Sequence, residues 1–116
     1  MFTGILNSKY TLKSNSDFRR LYSKGKSAVT GNVVVYCRKN KTVCSRVGYT
    51  VSAKLGHAVV RNRIKRRLRE IYRLNSASLQ PGYDLVIVAR HGCINASYSE
   101  LEKAFLKACE ELGILK

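Results

Sequence analysis

The sequence predicts an α+β fold with helices packed around one central sheet. Three observations carry that expectation. β-Branched and aromatic runs at residues 32–38, 43–52 and 83–89 have the composition of strands. Segments with apolar residues at helical spacing lie before, between and after them. The chain has 116 residues, 45% of them hydrophobic, enough for one domain with one core and too few for two. The order is helix, β-hairpin, helix, strand, helix, a single-domain α/β sandwich over residues 1–116.

The first helix covers residues 15–24. Asn15 is its expected N-cap, Asp17 suits the first turn, and Phe18, Leu21 and Tyr22 share one face. Gly25 is the stop. Residues 32–38 form a strand, 39–42 a hairpin loop and 43–52 the return strand, with Val43, Val47, Tyr49 and Val51 on one side. The helix that follows runs from Ala58 to about Leu74, roughly 25 Å at 1.5 Å per residue. Gln80-Pro81-Gly82 reads as a turn. Residues 83–89 are almost continuously apolar, as expected of an interior strand covered on both faces. The last helix spans Tyr98 to Leu112. Ser97 and Glu100 make a capping box, Leu101, Phe105, Ala108 and Leu112 form the buried stripe, and Gly113 ends it.

Charge narrows the function. There are 22 Lys and Arg against 7 Asp and Glu, a net charge of +15. Self-repulsion of that size opposes folding unless a polyanion is near, and an enzyme for a small neutral metabolite has no use for it. Residues 1–74 hold 18 basic and two acidic residues, whereas residues 75–116 hold four and five. The footprint is therefore a directed face. No apolar run has the length of a membrane span, and none near Met1 to Tyr10 has the length of a signal peptide, so a cytoplasmic location is expected. Cys37, Cys44, Cys93 and Cys109 form no CxxC pair, and His57 and His91 lack zinc-finger spacing. Free thiols are expected. Cys37 and Cys44 would face each other across the expected hairpin, but a reducing compartment disfavours a bridge.

The central helix is the most informative element. Val60, Ile64, Leu68 and Ile71 make a stripe about 80° wide at 100° per residue. Asn62, Lys65, Arg66, Arg69 and Arg73 project away from it, Arg61 and Arg67 flank it, and Arg63 lies between Arg67 and the far side. Seven basic residues fall between Arg61 and Arg73, with Glu70 alone to relieve Arg66 and Arg73. Helix packing does not require such density. A phosphate backbone does, because guanidinium forks match phosphate oxygens. No turn-helix partner or zipper accompanies the helix, which favours RNA over DNA.

The block from Ala58 to Arg69, containing Arg61-Asn62-Arg63, resembles the Arg-Asn-Arg signature of the bacterial ribonuclease P protein subunit family. The likeness runs from Asp17-Phe18 through Val47-Gly48, Val51-Ser52 and Lys54-Leu55-Gly56 to Val88-Ala89-Arg90. Two positions depart from it. Ala53 stands where members often carry Lys, and His57 where an Asn cap is frequent; both bear on the helix start and one phosphate contact.

The resemblance implies a ribosomal-protein-like fold with a left-handed βαβ crossover. It also implies an accessory subunit whose larger RNA partner performs catalysis with Mg²⁺ held by that RNA. Together they cut one phosphodiester in precursor tRNA, remove the 5′ leader and leave the mature 5′-phosphate end; the protein broadens the substrate range. Carried over residue by residue, Arg61, Asn62, Arg63, Lys65, Arg66 and Arg69 are expected to meet the catalytic RNA. Phe18, Tyr22, Tyr36 and Lys54 are expected to line a cleft for the single-stranded leader on another face, with Arg19, Lys26 and Arg38 as further phosphate contacts. Aromatic faces beside cations suit a variable leader, because stacking tolerates any base. Helical spacing alone equally fits Phe18 and Tyr22 to a core. No catalytic residue or metal ligand in the protein is expected: DxD and HExxH motifs are missing, and Asp17, Glu70 and Asp84 are scattered. No membrane or protein partner is implied. A small basic ribosomal or other RNA-scaffold protein shares the charge and needs no aromatic cleft. A nuclease acting alone needs active groups that the motifs do not offer.

Overall fold

A computed structural model describes Leu12 and residues 15–116. Four strands, β1 (Lys26–Val29), β2 (Val33–Lys39), β3 (Arg46–Thr50) and β4 (Tyr83–Ala89), form one sheet in the order β1-β2-β4-β3. The helices are α1 (Asn15–Lys24), α2 (Ala58–Asn75), the single turn α3 (Gly92–Asn95) and α4 (Tyr98–Leu112). The α+β class and the single sheet agree with the sequence. The stretch from Met1 to Tyr10, read for a signal segment, lies outside the described residues.

Strand pairing differs from expectation. Residues 32–38 and 43–52 do not form a hairpin: β2 pairs antiparallel with β4, and β3 pairs parallel with β4 on its far side. The cause lies in residues 40–45, which cross the start of β4. Asn40 donates its backbone N–H to the Gly82 carbonyl at 2.8 Å and its side-chain amide to Asp84 Oδ1 at 2.9 Å. Gly82 has φ of 82°, and a Cβ there would lie 2.5 Å from the Thr42 carbonyl oxygen, so this crossing requires glycine. Val43 consequently sits in the crossing loop, 85% exposed, and not on the strand face. The actual hairpin is β1–β2, closed where the Thr30 backbone N–H donates to the Val33 carbonyl and the Val33 N–H donates to Thr30 Oγ1. β3, α2 and β4 form a crossover between adjacent parallel strands. Asn15 is the first residue of α1 and not its cap.

The two faces of the sheet are covered unequally. On one, Val33, Val35 and Cys37 of β2 and Leu85, Ile87 and Ala89 of β4 pack under Ile64, Leu68 and Ile71 of α2 and Leu101, Phe105 and Ala108 of α4. On the other, the buried residues among those described are Leu12, Leu21 and Val86, with Phe18, Tyr36 and Val88 half-buried beside them. α1 lies over this open face. The capping box of Ser97 and Glu100 starts α4 as expected, and Gly113 ends it in a left-handed conformation. Cys109 joins the α4 stripe, while Leu112 is only half-buried.

All four cysteines are free. Cys37 is in the core and Cys44 is exposed on the crossing loop, so the hairpin that would oppose them does not exist. Burial raises the Cys37 and Cys93 thiols above their ordinary range and pushes Cys109 up to about 12.

Candidate nucleic-acid interface

The start of α2 is held by its own arginine. His57, at the N-cap, makes no side-chain capping bond. Arg61 reaches back instead, its Nε donating to the Gly56 carbonyl at 3.2 Å. Ser52 caps the 3-10 turn Ala53–Leu55 by accepting from the Lys54 N–H at 3.1 Å. Lys54 is exposed on this turn, and so is Ala53.

Burial of Ile64, Leu68 and Ile71 sets the rotation of α2 and so decides which side chains face outward. Its seven cations then divide. Arg67 is half-buried and donates from Nη1 to the Ala96 carbonyl at 3.2 Å. Arg73 pairs with Glu70 and holds that carboxyl below its usual range, so Glu70 takes Arg73 and not Arg66 as its partner. Arg63, Lys65, Arg66 and Arg69 are exposed and make no hydrogen bond or ion pair among the described residues. With Arg61, whose Nη groups are uncommitted, five cations are available to phosphates. Asn62 is exposed among them.

The aromatic cluster sits on the open face. α1 is anchored there by Asp17, whose carboxylate lies 3.7 Å from Arg20 and 3.9 Å from Arg46. Arg46 grips Asp84 with a fork, Nε to Oδ1 at 3.0 Å and Nη2 to Oδ2 at 2.7 Å, and this bond raises its already high pKa. The Phe18 ring lies directly over Gly48, where a Cβ would come within 2.7 Å of it. Tyr22 is 41% exposed, so it is not a core residue. Its ring meets Tyr36 edge-on, with centroids 4.9 Å apart and planes at 76°. Its hydroxyl is hydrogen-bonded to Thr50 Oγ1 at 2.9 Å. Arg19, Lys26 and Arg38 are exposed.

The two residue sets meet. A pocket of about 460 Å³ at the C-terminal end of β3 is lined by Phe18 and Tyr22 of α1, by Thr50, and by Arg61, Asn62 and Lys65 of α2. Of the residues expected on a face of their own, Arg61, Asn62 and Lys65 thus share a pocket with Phe18 and Tyr22, while Arg63, Arg66 and Arg69 do not line it. β3 is the edge strand, so helices on opposite faces of the sheet converge around its end. Tyr36 and Lys54 do not line this pocket; Tyr36 joins it through the Tyr22 ring. Thr50 was not singled out by the sequence, because a lone threonine on a strand carries no signal of the hydroxyl it meets.

No group of three or more His, Cys, Asp and Glu side chains among the described residues is arranged to hold a metal ion. His57 and His91 are exposed, and Asp84 is committed to Arg46 and Asn40. No helix among the described residues is long and apolar enough to cross a membrane.

Residues 6–113 match the family profile described as Ribonuclease P. The chain belongs to the ribonuclease P protein family. The ribonuclease P protein component of Alkaliphilus oremlandii is 42% identical over 104 residues, covering 90% of this chain and 91% of the relative. That of Clostridioides difficile is 45% identical over 94 residues, covering 80% and 82%. The solved RNase P protein of Staphylococcus aureus superposes with a TM-score of 0.84 at 31% identity, over 92% of this chain and 98% of that one. The RNase P protein of Thermotoga maritima gives 0.80 at 30% identity, over 87% and 96%. The ribonuclease P protein fold thus accounts for nearly the whole chain, including the Arg-Asn-Arg block on α2 and the rings on α1.

Proposed function

We propose that this chain acts in the cytoplasm as the protein subunit of ribonuclease P, binding the catalytic RNA and the 5′ leader of precursor tRNA. The observation that carries the reading is the pocket at the end of β3, where exposed stacking surface meets uncommitted cations. Single-stranded RNA needs both: a ring to stack on a base and a positive charge beside the backbone. Tyr22, with Phe18 and Tyr36 behind it, supplies the ring surface. Arg63, Arg66 and Arg69, turned outward along α2, reach the phosphates of the RNA subunit, while Arg61, Asn62 and Lys65 stand between the two RNAs. Lys54 extends the positive path beyond the pocket.

The reaction is hydrolysis. Water adds at the phosphorus, the bond to the leader's 3′ oxygen breaks, and the phosphate stays on the mature tRNA. Mg²⁺ bound by the RNA subunit supplies the activating charge. The chain's part is to hold the leader and the RNA in register, which favours precursor over mature product and widens the range of substrates cut.

The test compares precursor cleavage by protein alone, RNA subunit alone and both together at low Mg²⁺. Strong cleavage is expected only from the combination. Leader removal by highly purified protein alone would overturn the division of labour. No stimulation of the RNA would return the chain to the class of RNA scaffolds.

A further inference from the structure

We propose that Thr50 is a positioning residue for the leader: its hydroxyl fixes the Tyr22 ring in the orientation that receives a base. The inference rests on the leader reading above.

Tyr22 projects from α1 over the open face, where nothing packs it on all sides. Beside its α1 neighbour Phe18, two contacts tie its ring to the sheet. On one side, the ring meets Tyr36 of β2 edge-on. At its far end, the phenol oxygen is 2.9 Å from Thr50 Oγ1 on β3. In the sheet, β4 lies between those two strands. The ring is therefore a strut from helix to sheet, tied at its edge and at its tip.

An untied tyrosine on a helix surface samples several side-chain orientations, and stacking must then select one of them. A ring already held keeps more of its stacking free energy as affinity, because less ordering accompanies binding. Thr50 touches no base in this scheme. It acts through Tyr22, and it also lines the pocket beside Arg61 and Lys65, so the tie sets the ring's distance from the cations. Stacking alone predicts that Tyr22→Phe is neutral, because the π-face survives. The Thr50 contact predicts that it is not.

The experiment is a double-mutant cycle in the assembled holoenzyme, using Tyr22→Phe, Thr50→Val and the pair. Thr50→Val keeps the shape and removes the hydroxyl. Each single variant is expected to weaken precursor binding roughly three- to fivefold, in the range of one neutral hydrogen bond. The double variant is expected to lose no more than either single one. Affinity for mature tRNA and the unfolding midpoint should stay unchanged, and Thr50→Ser should restore binding. Tyr22→Ala is the control. If it leaves precursor preference intact, the leader reading itself falls, and this proposal with it. If Tyr22→Ala reduces precursor preference while Thr50→Val leaves it unchanged, the leader reading stands and the positioning role is overturned. Additive losses in the double variant, or equal losses for precursor and mature tRNA, also overturn it.

Discussion

Among the described residues, the sheet has one face built for stability and one more sparsely covered. Beneath α2 and α4, nineteen buried residues form a continuous cluster with Phe105 inside it. Beneath α1 the buried cluster has three among the described residues, and its aromatic neighbours remain partly in contact with solvent. A ring buried on all sides contributes its whole surface to folding and none to a ligand. Phe105 and Tyr22 represent the two uses of an aromatic side chain in one small domain. α2 belongs to both accounts, since its apolar edge closes the packed face and its opposite side carries the free cations.

The sharpest break between the faces comes from paired truncations. Phe105→Ala should cost about 3–5 kcal/mol of folding stability, the usual price of an aromatic deletion in a core. Measured well below its lowered midpoint, the variant should keep the wild-type ratio of precursor to mature tRNA affinity. Tyr22→Ala should do the reverse, losing about 1–3 kcal/mol of precursor affinity with little change in midpoint or in mature tRNA binding. A large midpoint loss for Tyr22→Ala would erase the distinction between the faces.

Smaller effects separate the cations of α2. With five available, log affinity for the RNA subunit should fall against log salt with a slope of roughly −3.5 to −4.5. Arg63→Ala or Arg66→Ala should reduce that slope by about 0.7–0.9 each and leave the unfolding midpoint nearly unchanged. Arg67→Ala should hardly alter the slope, because its guanidinium already serves the Ala96 carbonyl. Titration of RNA binding across salt concentrations, with a melting curve for each variant, checks all three.

Much of the fold was legible because α2, α4 and β4 carry strong periodic or continuous apolar patterns. Ser97, Glu100 and Gly113 marked the ends of α4, and structure and sequence agree there. β1 was missed because Lys-Ser-Ala-Val is only four residues long with one buried side chain. Strand order was misread for a different reason. Adjacent strands in sequence usually pair, and nothing local in residues 39–42 announces that the loop passes over Gly82. At the site, period identified the outward cations, whereas the partners of Arg67 and Arg61 are backbone carbonyls that no pattern reveals. The convergence of Phe18 with Arg61 depends on where β3 ends, a property of the whole sheet.

The position of β3 also sets the order in which the molecule is made. Its strand neighbour among the described residues is β4, more than thirty residues later in the chain. During synthesis the ribosome therefore releases 18 basic residues, all the cations of α2 among them, before the strand that seats β3 exists. Gly48 and Thr50 take their register in the sheet from Val86 and Val88. Parallel pairing across such a distance closes late, so the pocket at the end of β3 is among the last parts of the nascent chain to take shape.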